Sequence, residues 1–260
     1  MPALFLLLIV RLLHSIYSFY AVMVFTIFMI ICFPFILIPF LFGNRWSWIS
    51  YKFLWLWSWL FSLFTFIRFE IIGKQLIRKR QAYIYVSNHT SFLDVPGVRL
   101  LIRGEFRPIA KKELLKIPLF GYIVKAATVV VDRSNAESRK KSVEYAKRMI
   151  QHGISMLIFA EGTQNRTKEL LQPFKDGAFR IAIETQTPIL PVIVVGAGPL
   201  MPPGTMQIKP GKIKVIALDE VSVNGLTMDD VKSLKERVFQ SMMEAIAANQ
   251  PSQKDEIRGS

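Results

Sequence analysis

The sequence predicts an α/β domain preceded by an N-terminal membrane-embedded helical segment. Three observations lead there. No charged residue occurs from Leu12 to Asn44, a second apolar stretch holds all five tryptophans, and after Gly73 short β-branched or aromatic runs alternate with longer polar stretches of helical period.

The first apolar run, Ser15 to Phe42, is long enough to cross a hydrocarbon core of about 30 Å, and it far exceeds the core of a cleaved signal peptide. Pro34 and Pro39 lie inside it, so a kinked or re-entrant path is expected. The second stretch, Trp46 to Phe69, carries Trp46, Trp48, Trp55, Trp57 and Trp59, with Arg45, Lys52 and Arg68 at its ends. Indole rings and flanking cations suit the headgroup level. Two spans, or two helices dipping into one leaflet, both satisfy the pattern. The expected organisation is a membrane-embedded two-helix segment over residues 1–70, a catalytic domain over 71–249 and a polar tail over 250–260.

Candidate strands follow in order at Phe69–Ile72, Ala82–Ser87, Thr128–Val131, Ser155–Ala160, Ile189–Val195 and Ile213–Ala217. Candidate helices are Ser91–Ile102, Asn135–His152 with Gly153 as a stop, Gly177–Thr185 and Thr227–Ala248. The last starts with Thr227 as N-cap and Asp229 and Asp230 in its first turn.

Composition narrows the chemistry. A chain of 260 residues has room for one sizeable core or for one domain with an anchor. At 52% apolar and 20% charged residues it is not a disordered chain. The single cysteine, Cys32, lies in the apolar run, which excludes an internal disulfide, a cysteine zinc cluster and a CxxC pair. His14, His89 and His152 are too scattered to suggest a metal site, so no metal is expected. The formal charge of +14 is concentrated in residues 71–150, which carry 17 basic and 6 acidic residues. Such a field suits phosphate-bearing partners. Its attachment to a membrane segment, with no nucleic-acid motif, favours lipid headgroups over nucleic acid, with a nucleotide-containing cofactor as the other phosphate-bearing partner. The basic helix after Arg133, with Arg139, Lys140, Lys141, Lys147 and Arg148, either is solvated or faces those phosphates.

The most informative segment is V-S-N-H-T-S-F-L-D-V, Val86 to Val95. An apolar strand ends at Asn88 and His89 and a helix follows, which places His89 at an open strand end where α/β sheets bind ligands. Asp94 falls in the first helical turn, near enough for its carboxylate to face the imidazole. A histidine paired with a carboxylate is a general base of fixed tautomer. The same Ser91-x-x-Asp94 spacing is also a capping box.

This segment resembles the first motif, N-H-x4-D, of the glycerolipid acyltransferases, specifically the 1-acylglycerol-3-phosphate acyltransferase family. Further blocks carry the resemblance in order. These are A-K-K-E-L-L-K-I-P-L-F-G (110–121) with V-V-V-D-R-S-N (129–135), F-A-E-G-T-Q (159–164) with P-F-K-D-G-A-F (173–179), and P-I-L-P-V-I-V-V-G (188–196). The resemblance implies a mixed sheet flanked by helices, the glycerolipid acyltransferase fold. It also implies transfer of an acyl chain from acyl-CoA or acyl-carrier protein to the sn-2 hydroxyl of 1-acylglycerol-3-phosphate, giving phosphatidic acid, with no cofactor. Its members use thioesters made in the cytoplasm, which implies a catalytic domain on the cytoplasmic face of the membrane, the inner membrane in a bacterium.

On this reading His89 and Asp94 are catalytic. Asn88, Lys111, Arg133, Glu161, Gly162, Thr163 and Arg166 bind substrate, with Glu161, Gly162 and Thr163 holding the acceptor's hydroxyls and Lys111 and Arg133 meeting phosphate and oxyanion. Direct attack of the acceptor hydroxyl is expected, because no G-x-S-x-G elbow is present and Cys32 lies in the membrane segment. The chain departs from the family at Gln164, where an arginine is usual. A glutamine keeps hydrogen bonding but loses a fixed charge. Either Arg166 and Arg133 compensate or the acceptor is another lysophospholipid. A non-catalytic membrane adaptor holding anionic lipid is the rival from a different class, and the intact motif argues against it.

Overall fold

The computed structural model describes residues 2–43, 45–132 and 135–250. Helices α1 (Pro2–Leu41) and α2 (Ser47–Thr65) form an N-terminal hairpin. There follow β1 (Ile67–Ile72), β2 (Ile84–Ser87), α3 (Asp94–Leu101), β3 (Phe106–Lys111), α4 (Phe120–Ala127), β4 (Val129–Val131), α5 (Ala136–Gln151), β5 (Ser155–Phe159), α6 (Gly177–Thr185), β6 (Ile189–Val195), the short α7 (Ala197–Leu200), β7 (Gly211–Ala217) and α8 (Val231–Asn249).

The seven strands make one mixed sheet of order β1-β7-β6-β2-β5-β3-β4. Strands β6, β2, β5, β3 and β4 run parallel, whereas β7 is antiparallel to β6 and parallel to β1. The carboxyl ends of the five parallel strands therefore share one edge with the amino ends of β1 and β7. Side chains alternate between two buried faces, as the two-residue period of a strand requires. Ile84, Val86, Met156, Ile158 and Ile193 pack with α5, α6 and α8. Tyr85, Leu157, Val192, Val194 and Val215 pack with α1, α2 and α3.

Two elements join those expected from the sequence and two boundaries shift. Strand β3, F-R-P-I-A-K, has two cations and a proline and so no apolar run, and the eight residues of helix α4 are too few to display a period. The strand keeps its place despite the proline by dividing its pairing, residues 106–108 with β5 and 109–111 with β4. Helix α1 is one helix that includes both Pro34 and Pro39. The second apolar stretch is a helix only to Thr65; Phe66 turns the chain in the left-handed region at φ 55°, and β1 then crosses residue 70. Helix α3 begins at Asp94 and not at Ser91.

The hairpin also serves the globular fold. Ala21, Val24, Tyr51 and Phe61 are buried in the same cluster as the sheet residues Tyr85, Leu157 and Val192, so α1 and α2 roof one face of the sheet. Tyr51 is held at that junction by the buried Arg107, whose Nη1 donates to its hydroxyl at 2.5 Å, and by Arg99 Nη2, which donates to its carbonyl at 2.9 Å. Burial lowers the Arg99 pKa to about 10.

Helix α1 is anchored at the carboxyl edge, where the Tyr17 hydroxyl donates to Thr65 O and Ser18 Oγ accepts from Ile208 N–H at 2.9 Å. Its later turns descend the sheet, and Phe40 meets Arg107 near the amino end of β3. The residues before Tyr17 therefore continue past the carboxyl edge. Phe5, Leu6, Leu7, Leu8, Ile9 and Val10 are exposed in succession, on every side of the helix. Residues Phe5–Leu41, whose most apolar 18-residue stretch has a mean hydropathy of 2.9, form the one helix among the described residues long and apolar enough to cross a membrane.

Helix α3, which carries Asp94, lies directly on the sheet. A β-carbon at Gly97 would stand 2.9 Å from Val215 Cγ2 and 3.0 Å from the Phe69 ring. Replacing Gly97 by Val is expected to cost about 1–3 kcal/mol through overpacking. Thermal unfolding of the detergent-solubilised protein measures it, and an unchanged melting temperature would refute this close packing.

Candidate active site

Strand β2 ends at Ser87, and the next residues are fixed by contacts from three neighbours. The Asn88 amide is buried between β2 and β6: its Nδ2 donates to Val194 O at 2.9 Å and its Oδ1 accepts from Val194 N–H at 2.8 Å. Both of its polar atoms are thereby used on the backbone of a neighbouring strand. In this structure Asn88, expected to touch substrate, clamps the end of the strand and projects the next residue from the sheet edge.

That residue is His89. Its Nδ1 lies 2.8 Å from Asp94 Oδ2. The Asp94 side chain is fully buried, and the same Oδ2 accepts the Thr90 and Ser91 amides at 2.7 and 2.9 Å. An oxygen surrounded by donors calls for a proton on Nδ1, leaving His89 Nε2 as the acceptor. Ser91 does not cap the helix: its hydroxyl donates to Met201 O at 2.8 Å and accepts from Leu93 N–H at 3.2 Å. The expected capping box is thus replaced by a carboxylate that gathers the loop around it. The imidazole also stacks on Phe159 at the end of β5, with ring centroids 4.1 Å apart and planes 22° apart. Asp94 and Phe159 together fix the ring in its plane and across its face.

Glu161, two residues past Phe159, holds the same loop from below. Its Oε1 accepts the His89 amide and its Oε2 the Gln172 amide, both at 2.9 Å. The side chain is buried and each oxygen holds a backbone amide, so Glu161, expected to hold an acceptor hydroxyl, positions the His89 loop in this structure. Burial raises its pKa, against the lowering effect of the two amides. The His89 carbonyl in turn accepts from Asn165 N–H at 2.6 Å. Gly162 turns at φ 79° and spends its amide on Phe159 O at 3.0 Å. That amide is already part of the turn. Thr163 is exposed at the rim.

A groove of about 370 Å3 opens at Thr90, the residue after His89, and is lined also by Asn165, Arg166, Thr167, Glu169, Gly198 and Pro203. Arg166 is exposed there, and its guanidinium covers Gly204, where a β-carbon would stand 2.8 Å from Nη2. Gln164 Nε2 is buried without a hydrogen-bond acceptor among the described residues. Lys111 ends β3 on the same sheet edge, 3.4 Å from Glu113 and largely exposed. Arg133 lies outside the described residues. Helix α5 packs on the face opposite the hairpin, and its Lys147 is bound to Glu144 and Glu184 at 3.1 and 2.5 Å. That pairing removes Lys147 from the basic face expected of this helix.

Phe159, Asn165, Gln172 and the Thr90 and Ser91 amides were not singled out in the sequence. Phe159 left a signal there as the first residue of F-A-E-G-T-Q, and Thr90 and Ser91 lie inside N-H-x4-D, whereas Asn165 and Gln172 left none.

A carboxyl whose folded pKa is raised binds its proton more tightly in the folded chain. Its contribution to stability is present below the ordinary carboxylate range and is lost as pH rises through the raised value. Replacing Glu161 by Gln should remove that falling limb from the stability profile while leaving the His89 loop with one acceptor in place of two. Thermal melts of both proteins from about pH 4 upward test this; parallel profiles would contradict the burial of an ionisable Glu161.

Residues 68–195 match the family model described as Acyltransferase. An uncharacterized acyltransferase from Schizosaccharomyces pombe is 32% identical over 182 residues, 69% of this chain and 65% of that protein. The human 1-acyl-sn-glycerol-3-phosphate acyltransferase alpha is 34% identical over 179 residues, 68% of this chain and 63% of that protein. The chain spans just under two thirds of the length of these two relatives. The crystal structure of the 1-acyl-sn-glycerophosphate (LPA) acyltransferase PlsC from Thermotoga maritima superposes with a TM-score of 0.79 over 94% of this chain and 99% of that one, at 21% identity, and so shares the fold. On these matches the chain belongs to the acyltransferase family that includes the 1-acyl-sn-glycerol-3-phosphate acyltransferases.

Proposed function

We propose that the protein is a membrane-associated acyltransferase. It moves an acyl chain from a thioester, acyl-CoA or acyl-carrier protein, to the sn-2 hydroxyl of 1-acylglycerol-3-phosphate and so forms phosphatidic acid. The observation that carries the reading is the His89–Asp94 pair at 2.8 Å, held at the carboxyl edge of the parallel strands. The named relatives support the acceptor class, and the apolar helix α1 supports a site at the bilayer surface. A catalytic domain on the cytoplasmic side follows only if the thioester is made in the cytoplasm.

In this mechanism His89 Nε2 takes the proton of the acceptor hydroxyl as the oxygen attacks the thioester carbonyl. Asp94 holds the proton on Nδ1 and stabilises the imidazolium that forms. The tetrahedral oxyanion collapses, the carbon–sulfur bond breaks, and the imidazolium returns its proton to the departing thiolate. No covalent acyl-enzyme is needed and no cofactor enters. Arg166, Lys111 and Arg133 supply positive charge for the phosphate monoester and the oxyanion, with Thr163 at the rim. Asn88, Glu161 and Gly162 act by holding the loop.

A second acceptor reading rests on Gln164. Its buried Nε2 is a neutral donor awaiting an oxygen, which suits a phosphodiester or hydroxyl headgroup as well as a monoester.

Two experiments test these readings. His89→Ala should lower kcat by about 10²–10⁴-fold with folding intact, as loss of a positioned base does. Activity within about threefold of wild type would refute the mechanism. For the acceptor, kcat/KM is measured on monoester and diester lysolipids at fixed thioester. Wild type should prefer the monoester, and Arg166→Ala should raise the acceptor KM while leaving the thioester KM unchanged. A preference for the diester by more than about tenfold, roughly 1.4 kcal/mol, would replace the acceptor and keep the reaction class.

A further inference from the structure

The segment between β3 and β4 is built unlike the other loops of the α/β domain. Residues 111–125, K-K-E-L-L-K-I-P-L-F-G-Y-I-V-K, carry four lysines and one glutamate. Leu115, Lys116, Ile117, Pro118 and Leu119 are exposed in succession, and Tyr122 follows at 62% exposure. Four large apolar side chains thus stand in the open within eight residues.

The backbone that presents them is fixed. Gly121 lies against Leu115 so closely that a β-carbon would stand 2.3 Å from the Leu115 carbonyl oxygen, and the Gly121 amide donates to Ile117 O at 2.8 Å. Leu119 sits at φ 59°, a conformation that L side chains rarely adopt. The segment is therefore a closed knuckle, and its apolar tips are displayed by a defined turn.

Its inner side is joined to the hairpin. Phe120 packs on Phe25 and Trp57, with centroids 6.2 and 6.3 Å apart, and Ile123 and Ala127 share a cluster with Met29, Cys32 and Ile36. Tyr122 meets Phe33 edge to face. The outer side of the knuckle thus continues the exposed apolar surface of α1, where Ile30, Ile31 and Phe35 face outward. Charge sets the kind of surface it meets. Lys111 faces Glu113 and Lys112 is bound to Asp132, while Lys116 and Lys125 are exposed beside the apolar tips. Aliphatic and aromatic tips interleaved with lysine suit the headgroup–acyl boundary of an anionic bilayer.

We infer that residues 112–125 form a third membrane-contacting element, carried by the α/β domain and separate from α1 and α2. Leu115, Ile117, Leu119 and Tyr122 enter the boundary of an anionic leaflet, and Lys116 and Lys125 meet its phosphates. Because β3 ends at the sheet edge that holds His89, this contact sets the edge at headgroup level. The inference does not depend on acyl transfer, and its test reads lipid contact alone.

The full chain with Cys32→Ala is labelled with an environment-sensitive fluorophore at Ile117→Cys, or for comparison at Gln151→Cys, which is exposed at the opposite sheet edge. Both are bound to phosphatidylcholine vesicles with and without about a quarter phosphatidylglycerol, using brominated acyl chains as quencher. Thermal melts confirm that each variant is folded. The probe at 117 should be blue-shifted and quenched at least about twofold more than the probe at 151. Its quenching should increase with phosphatidylglycerol, and Lys116→Glu should abolish that increase. Equal quenching at the two positions would overturn the inference. So would a probe at 117 that is blue-shifted but untouched by brominated lipid, which would mark a protein partner or a second copy, or quenching indifferent to both phosphatidylglycerol and Lys116→Glu.

Discussion

One buried carboxylate organises the site. Asp94 accepts from the His89 ring and from the Thr90 and Ser91 amides, so the loop that leaves β2 folds around it. A fully buried negative charge is tolerable only when its oxygens are met by donors. That requirement fixes the loop's path, the His89 tautomer and the start of α3 together. The remaining constraints act on the same loop. Asn88 ties its beginning to β6, Glu161 ties the His89 amide to Gln172, and Phe159 covers the ring. The imidazole is thus oriented by groups from three adjacent strands of the parallel sheet, and its Nε2 is left for chemistry.

The N-terminal hairpin and the sheet that carries His89 share one core. Tyr51 and Phe61 of α2 and Ala21 of α1 are buried with Tyr85 and Val192, so the hairpin cannot move independently of the strands that carry the site. The anchor of α1 at Thr65 and Ile208 lies at the carboxyl edge, and its exposed turns continue beyond it. The apolar surface and the His89 loop consequently lie toward the same end of the molecule. A lipid acceptor can then reach the base without leaving the bilayer surface, which connects the fold to the proposed substrate.

Much of this was legible in the residues, and the exceptions have physical causes. Strand Ile189–Val195 and helix Gly177–Thr185 match their sequence bounds because one is a continuous apolar run and the other has a clear helical period. Strand β3 was hidden because Arg107, Pro108 and Lys111 leave it no apolar run, and α4 by its length. The spacing of His89 and Asp94 pointed to their pairing, since five residues across a strand-to-helix turn bring the side chains together. The hydrogen bonds of Asn88 and Glu161 were not legible for the opposite reason. Each lies inside a motif, Asn88 in N-H-x4-D and Glu161 in F-A-E-G-T-Q, but the backbone partners of their polar atoms come from elsewhere. Val194 is 106 residues from Asn88, and Gln172 is 11 residues from Glu161, so only the folded chain reveals them.

The central claim is that His89 and Asp94 act as one catalytic unit. A double-mutant cycle on acyl transfer tests it most directly, with kcat/KM measured for wild type, His89→Ala, Asp94→Asn and the double variant. If Asp94 works through the imidazole, the double variant will be no slower than His89→Ala alone. Losses that add independently, with the double variant slower by the full Asp94→Asn factor, would contradict the account.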